Sequence, residues 1–194
     1  MWTTCIQETK KEIIHAFKIS PKRYDLSTYL VQLPDTRYSL LYLFIHEKST
    51  CHGWTKQTCL KYRIKNSKWN CIKDLNNARS SAACKVFEGK IVVSGGSLSR
   101  NYLKSVEVYD HHENTWTYLP GMINDRRFHG SVSMGNKMFM IGEFNTTSWE
   151  MFESISRKFL FIKEIKYVSN IDSLSLISVG NRIFVFLLWL CLTN

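Results

Sequence analysis

A unit that returns every 43 to 47 residues constrains this chain more than any other feature. Seven residues separate Tyr62 from Trp69, Tyr109 from Trp116 and Phe152 from Phe159; the second pair stands 47 residues beyond the first, and the third 43 beyond the second. The start of the unit repeats as well. Leu75-x-x-x-Arg79 precedes Gly89-Lys90 as Met122-x-x-x-Arg126 precedes Gly135-Asn136-Lys137, with eleven residues from arginine to lysine in both. A further copy begins near Leu174 and reaches Gly180-Asn181-Arg182, 45 residues beyond its counterpart. Repeats of this length are supersecondary units that cannot bury their apolar faces alone and must stack on copies of themselves. The question of function therefore turns from catalysis toward binding.

Each unit reads as short strands, because runs rich in valine, isoleucine and aromatics are punctuated by glycine, asparagine and serine turns. Val106 and Val108 alternate with Glu107 and Tyr109, the period of a strand with two different faces. Gly95-Gly96 closes the run Ile91-Val92-Val93-Ser94, where a sharp bend or a positive φ suits glycine alone. Four such strands repeated radially make a propeller blade.

The Gly95-Gly96 doublet, Tyr109 and Trp116 at these intervals, with Arg79 and Arg126 opening successive units, resemble kelch repeats. The resemblance implies an all-β fold, an incomplete kelch-type β-propeller of four-stranded antiparallel blades. The units are expected over residues 36–75, 76–122 and 123–165, with a partial one over 166–194. Two adjacent four-stranded blades would occupy residues 76–165. In the family the glycine pair follows the second strand, and the tyrosine and tryptophan pack between blades, which gives Tyr62, Trp69, Gly95, Gly96, Tyr109, Trp116, Gly142, Phe152 and Phe159 structural roles. The third unit departs from the pattern, keeping Gly142 but following it with Glu143, and carrying Phe159 in place of tryptophan. The first has His46-Glu47 where the doublet belongs.

Residues 1–35 differ in kind. Ile6, Lys10, Ile13, Ile14 and Phe17 include an apolar stripe at helical spacing that Pro21 stops, which predicts a short amphipathic helix over 5–18. The order Glu8-Thr9-Lys10-Lys11, His15-Ala16-Phe17, Ser20-Pro21-Lys22-Arg23 resembles the last helix of the BACK domain that precedes kelch repeats in Kelch-like proteins.

Six cysteines show neither Cys-x-x-Cys spacing nor the density of a secreted disulfide scaffold, which fits reduced thiols and a cytoplasmic chain. Cys51-His52, Cys59 and His46 lack the paired geometry of a zinc site, so no metal or other cofactor is expected. No apolar signal segment opens the chain. The apolar run 183–192 is about half the roughly 20 residues that a membrane-crossing helix needs. The formal charge is +10. Lys61, Arg63 and Lys65 alternate with Tyr62 and Ile64 as one basic strand face, but no nucleic-acid module accompanies them, and a solvated outer face accounts for them. Neither nucleic acid nor membrane is an expected partner.

Catalytic signatures are missing: the sequence has no Gly-x-Ser-x-Gly elbow, phosphate loop or HExxH, and an enzyme is not expected. In Kelch-like proteins the arginine opening a unit and the residues after the glycine doublet line the partner-binding face. Carried onto this sequence, the resemblance implies Arg79, Ser99, Arg100, Tyr102 and Arg126 as partner-binding residues. An arginine fork pairs bidentately with carboxylates, so a protein or an acidic peptide is the expected ligand. Two functions follow from the resemblance. One is substrate recognition within an adaptor for a cullin-based ubiquitin ligase; the other is binding to actin filaments as a structural protein. The cullin would be reached only through a BTB domain, which these residues do not include. About three and a half units also predict an open arc with uncovered strand edges.

Overall fold

The computed structural model describes residues 31–32, 40–48, 55–63, 68–98, 101–142, 148–164 and 173–188. The expected helix over 5–18 lies outside the described residues. Those described form strands joined by turns. The first blade holds β1 (Val31–Gln32), β2 (Leu40–Lys48), β3 (Thr55–Arg63) and β4 (Lys68–Cys71) in that order. The second holds β5 (Ala83–Phe87), β6 (Lys90–Ser94), β9 (Val106–Asp110) and β10 (Thr115–Leu119), with a ribbon of β7 (Ser97–Leu98) and β8 (Asn101–Tyr102) inserted between β6 and β9. The third is β11 (Gly130–Met134), β12 (Lys137–Ile141), β13 (Ser148–Glu153) and β14 (Lys158–Glu164). The hairpin of β15 (Ser173–Val179) and β16 (Arg182–Leu188) stands fourth.

Every named pairing is antiparallel. One boundary differs from expectation. β1 falls inside the stretch assigned to the leader, where Val31 pairs with Tyr42 and Gln32 with Leu41. Two residues are too few to display a strand's alternation, so periodicity cannot find them.

The seven-residue interval has a direct cause in the register. Tyr62 faces Trp69, Tyr109 faces Trp116 and Phe152 faces Phe159 as cross-strand partners of the third and fourth strands. Directly opposed residues put their side chains on one sheet face within packing distance. The rings of Tyr109 and Trp116 lie 4.9 Å apart at 40°, and those of Phe152 and Phe159 lie 5.1 Å apart at 45°.

Alternation then decides which neighbour each blade touches. Tyr109 and Trp116 join Cys59, Ala82, Ile91 and Val93 in a core between the first and second blades. Val92 and Val106, from the other face of the same sheet, pack with Met138, Met140 and Phe152 of the third. Val132 and Ile141 meet Leu176 of the fourth. The first strands lie side by side, β1 against β5, β5 against β11 and β11 against β15. Ser178 Oγ donates to the Ser133 carbonyl at 3.0 Å across the last of these contacts. First strands therefore lie innermost and fourth strands outermost, the order of a propeller.

Candidate functional site

Strand direction sets where the connections gather. β6 and β10 run the same way, each antiparallel to β9. The connection after β6 (95–105) and the one after β10 (120–129) consequently leave the second blade at the same end. The turns at 88–89 and 111–114 leave at the other.

Arg79 and Arg126 both begin at this loop end, and both turn inward. Arg79 Nη1 donates to the carbonyls of Gly95 (2.8 Å) and Ser105 (2.9 Å), while Nη2 donates to Ser105 Oγ (3.0 Å) and to Glu107 Oε1. Arg126 repeats the set: Nη1 to the carbonyls of Gly142 (3.0 Å) and Ser148 (2.8 Å), Nη2 to Ser148 Oγ (2.7 Å) and Glu150 Oε1 (2.7 Å). The two carboxylates complete each cluster by accepting backbone N–H groups, Glu107 from Asn76 (2.7 Å) and Asn77 (3.1 Å), Glu150 from Ile123 (2.7 Å) and Asn124 (2.9 Å). Both ion pairs are buried. Burial pulls the Arg79 guanidinium below its ordinary range, and Glu107 opposes that shift.

The two arginines expected to bind a partner are instead turned inward, away from water. Their Nη donors are spent inside the blade, where they tie the third strand to the segment entering the first. Burying a charge is tolerable only with such pairing. The sequence reading missed Glu107 and Glu150. A signal was present, since Ser105-Val106-Glu107 recurs as Ser148-Trp149-Glu150 at the 43-residue offset.

The glycine doublet answers to the same loops. Gly95 and Gly96 have φ of 57° and 93°. A Cβ on Gly95 would stand 2.5 Å from the Arg126 carbonyl oxygen and 2.8 Å from His129 Cε1; one on Gly96 would stand 2.6 Å from the Ser80 carbonyl oxygen. The arginine loop of the next blade thus lies directly on the doublet, and Gly96 N donates to the Arg126 carbonyl at 2.7 Å. Gly95→Ala combines left-handed strain with a backbone clash and is expected to destabilise the chain by more than about 1 kcal/mol. Urea unfolding measures this, and a midpoint equal to that of the parent would refute it.

His129 is buried beside this contact, its Nε2 2.9 Å from Ser94 Oγ. Burial first, then the charges of Arg126 and Arg79, pull its pKa from 6.5 down to about 3. The unfolded chain binds this proton before the folded one does, so the histidine's contribution is complete above pH 6.5 and is lost as pH falls toward 3. His129→Gln is expected to flatten that part of the stability profile, measured as unfolding midpoints between pH 4 and 7.

Above these buried groups the loops are woven by backbone bonds. Ser80 and Ser97 exchange N–H···O bonds of 2.8 and 2.7 Å, Leu103 N donates to Gly96 O at 2.9 Å, Arg126 N to Leu103 O at 3.2 Å, and Phe128 N to Ser81 O at 2.9 Å. On this base the Arg127 guanidinium carbon stands 4.4 Å from the Tyr102 ring centroid and 5.4 Å from that of Phe128. Tyr102 is half-buried and Phe128 is exposed. Of the residues expected at a partner face, Tyr102 thus lies on the loop surface, Arg79 and Arg126 lie beneath it, and Ser99 and Arg100 lie outside the described residues.

Among the described residues no group of three His, Cys, Asp or Glu side chains could hold an ion. Burial pushes the Cys59 thiol up to about 12, which keeps it protonated as part of the core. Among the described residues no helix is long and apolar enough to cross a membrane.

The geometry of the second blade meets its counterpart in known proteins. Residues 78–123 match the Kelch motif. This segment is a kelch repeat. It is 29% identical over 100 residues to Kelch-like protein 40 of Xenopus tropicalis, 52% of this chain and 16% of the relative. It is 27% identical over 125 residues to an F-box/kelch-repeat protein of Arabidopsis thaliana, 58% of this chain and 30% of the relative. Kelch repeat and BTB domain-containing protein 8 of Homo sapiens is 34% identical over 88 residues, 43% of this chain and 15% of the relative. The chain thus spans less than a third of the length of each. Kelch repeats make this chain a protein-interaction module.

Proposed function

We propose that this kelch-repeat chain captures a protein partner on its loop face and serves as the substrate-recognition part of an adaptor for a cullin-based ubiquitin ligase. The observation that carries this reading is the rigid, hydrogen-bonded loop end of the second and third blades, which presents Tyr102, Arg127 and Phe128 on its surface. Loops held by a rigid scaffold are where binding residues concentrate. Ser99 and Arg100, between β7 and β8, belong to the proposed face. The structural arginines Arg79 and Arg126 hold it from below. Two relatives bear an F-box or a BTB domain in their names beside the kelch repeats, which favours the adaptor reading. The chain acts in the cytoplasm under this reading, as a binding module rather than an enzyme, and the cullin is reached only through a BTB domain.

Proximity labelling with the full chain as bait, beside Tyr102→Ala and the opposite-face variant Glu88→Ala, tests the proposal. Partners lost with Tyr102→Ala but kept with Glu88→Ala, and accumulating when this protein is depleted, are the expected result. Co-sedimentation with actin filaments that Tyr102→Ala leaves unchanged would overturn it in favour of a cytoskeletal role.

A further inference from the structure

The outer strand of the third blade departs from its counterpart in a way the repeat does not require. β14 stands 43 residues beyond β10, so Lys158-Phe159-Leu160-Phe161-Ile162 takes the places of Thr115-Trp116-Thr117-Tyr118-Leu119. Phe159 keeps the ring contact that Trp116 makes. Beyond it, Leu160 and Phe161 replace a threonine and a tyrosine, and they are 44% and 52% exposed, with Ile162 at 42%. Thr117 and Tyr118 are exposed too, although a four-stranded third blade stands beside theirs. Exposure at these positions therefore belongs to the rim of a blade and does not depend on what stands next to it. Three consecutive bulky apolar residues left in water do not serve folding, and such a run marks an interaction surface.

The backbone specifies what kind of surface it is. β14 ends its sheet, paired to β13 alone among the described residues, so its other side is a row of backbone groups open to a further strand. Leu160 pairs with Met151 and Phe161 with Glu150, which places Leu160 and Phe161 on opposite faces of the sheet. An added strand would meet an apolar neighbour on either face. The ladder is regular from Lys158 to Phe161, and the register shift at Trp149/Glu150 ends it. Charge then selects the partner. Arg157 and Lys158 are exposed at one end of the run and Lys163 at the other, its Nζ 5.0 Å from the Trp149 ring centroid. Glu164 is the one carboxylate between residues 155 and 164. A second copy, with the same basic ends and the same formal charge of +10, is repelled. A lipid surface offers phosphates to the basic ends but no ladder to the strand edge.

We propose that β14 accepts an extended partner segment as a fifth strand of the third blade, a segment with apolar residues at its centre and carboxylates at its ends. Main-chain bonds along Lys158–Phe161 hold it, Leu160 and Phe161 pack against its apolar residues, and the basic ends of the run meet its carboxylates. The site lies on the rim of the blade, and its occupation does not depend on the loop-face reading above.

The test uses the full chain and a double variant, Leu160→Thr with Phe161→Lys, which restores the threonine of β10 and puts a charge on the strand edge. Fluorescence anisotropy is read with three labelled decapeptides: one with alternating valine and threonine between Asp-Asp pairs, one with the central amides of that peptide N-methylated, and one with lysines in place of the aspartates. The first is expected to bind. N-methylation, lysine ends and the double variant should each weaken it at least tenfold, while the variant keeps the Tm of the parent because both side chains are exposed. Equal binding of the N-methylated peptide overturns strand addition, equal binding of the lysine peptide overturns the choice of an acidic partner, and a lower Tm for the variant returns the two side chains to folding. Binding by none of the peptides overturns the proposal outright. A dimer in sedimentation velocity, or co-sedimentation with phosphatidylserine vesicles, that the variant abolishes would then assign the surface to a second copy or to lipid.

Discussion

Arg126→Ala is expected to remove about 3–5 kcal/mol of folding stability, the range for breaking a buried ion pair from one side. Arg126 and Glu150 are both fully buried. Removing the guanidinium strands the Glu150 carboxylate and takes the donor from the carbonyls of Gly142 and Ser148. It also loosens the next contact, because the Arg126 carbonyl accepts Gly96 N at 2.7 Å. The loss should thus reach the second blade as well as the third. Arg126→Met with Glu150→Leu should recover part of the loss by removing the unpaired charge, although Ile123 N and Asn124 N then lack their acceptor. Urea unfolding of the parent, the single and the double variant decides the matter. A single variant within 1 kcal/mol of the parent would show that the pair does not hold the blade.

That pair also shows what the sequence could and could not reveal. Strand pairing was legible because a period of two and a fixed turn length translate directly into spacing, so that the interval from Tyr109 to Trp116 is their cross-strand register. The partner of each arginine was not. Arg79 reaches Glu107 across 28 residues and Arg126 reaches Glu150 across 24, because the connection between the second and third strands differs in length between units. No constant interval marks the pair, and an arginine at the mouth of a strand reads alike whether its guanidinium turns inward or toward water. The loop surface was partly legible through Tyr102. Phe128 was hidden for another reason: it stands in a left-handed turn that Ser81 shares, and the amino-acid sequence does not display φ. β1 escaped because two residues carry no periodicity.

Trp116→Ala is expected to cost about 3–5 kcal/mol, because it combines a large cavity with lost polar contacts in the core between the first and second blades. Trp116 is 5% exposed and packs in one cluster with Tyr109, Cys59, Ala82, Ile91 and Val93. Its indole Nε1 donates to the Lys73 carbonyl at 2.8 Å, and its own carbonyl accepts Asn76 Nδ2 at 3.0 Å. These bonds fasten the outer strand of the second blade to the segment arriving from the first. Trp116→Phe separates the two contributions, since it keeps an aromatic ring and deletes the N–H donor. The third unit already makes this exchange with Phe159, whose ring holds nearly the same relation to Phe152 as Trp116 does to Tyr109. Loss of the donor should cost about 1 kcal/mol, plus a smaller cavity term, well below the cost of alanine. Thermal and urea unfolding should rank the parent above phenylalanine and phenylalanine above alanine. Equal losses for the two variants would instead assign the stabilisation to the bond with Lys73, making the tryptophan a tether between blades more than a filler of the space between them.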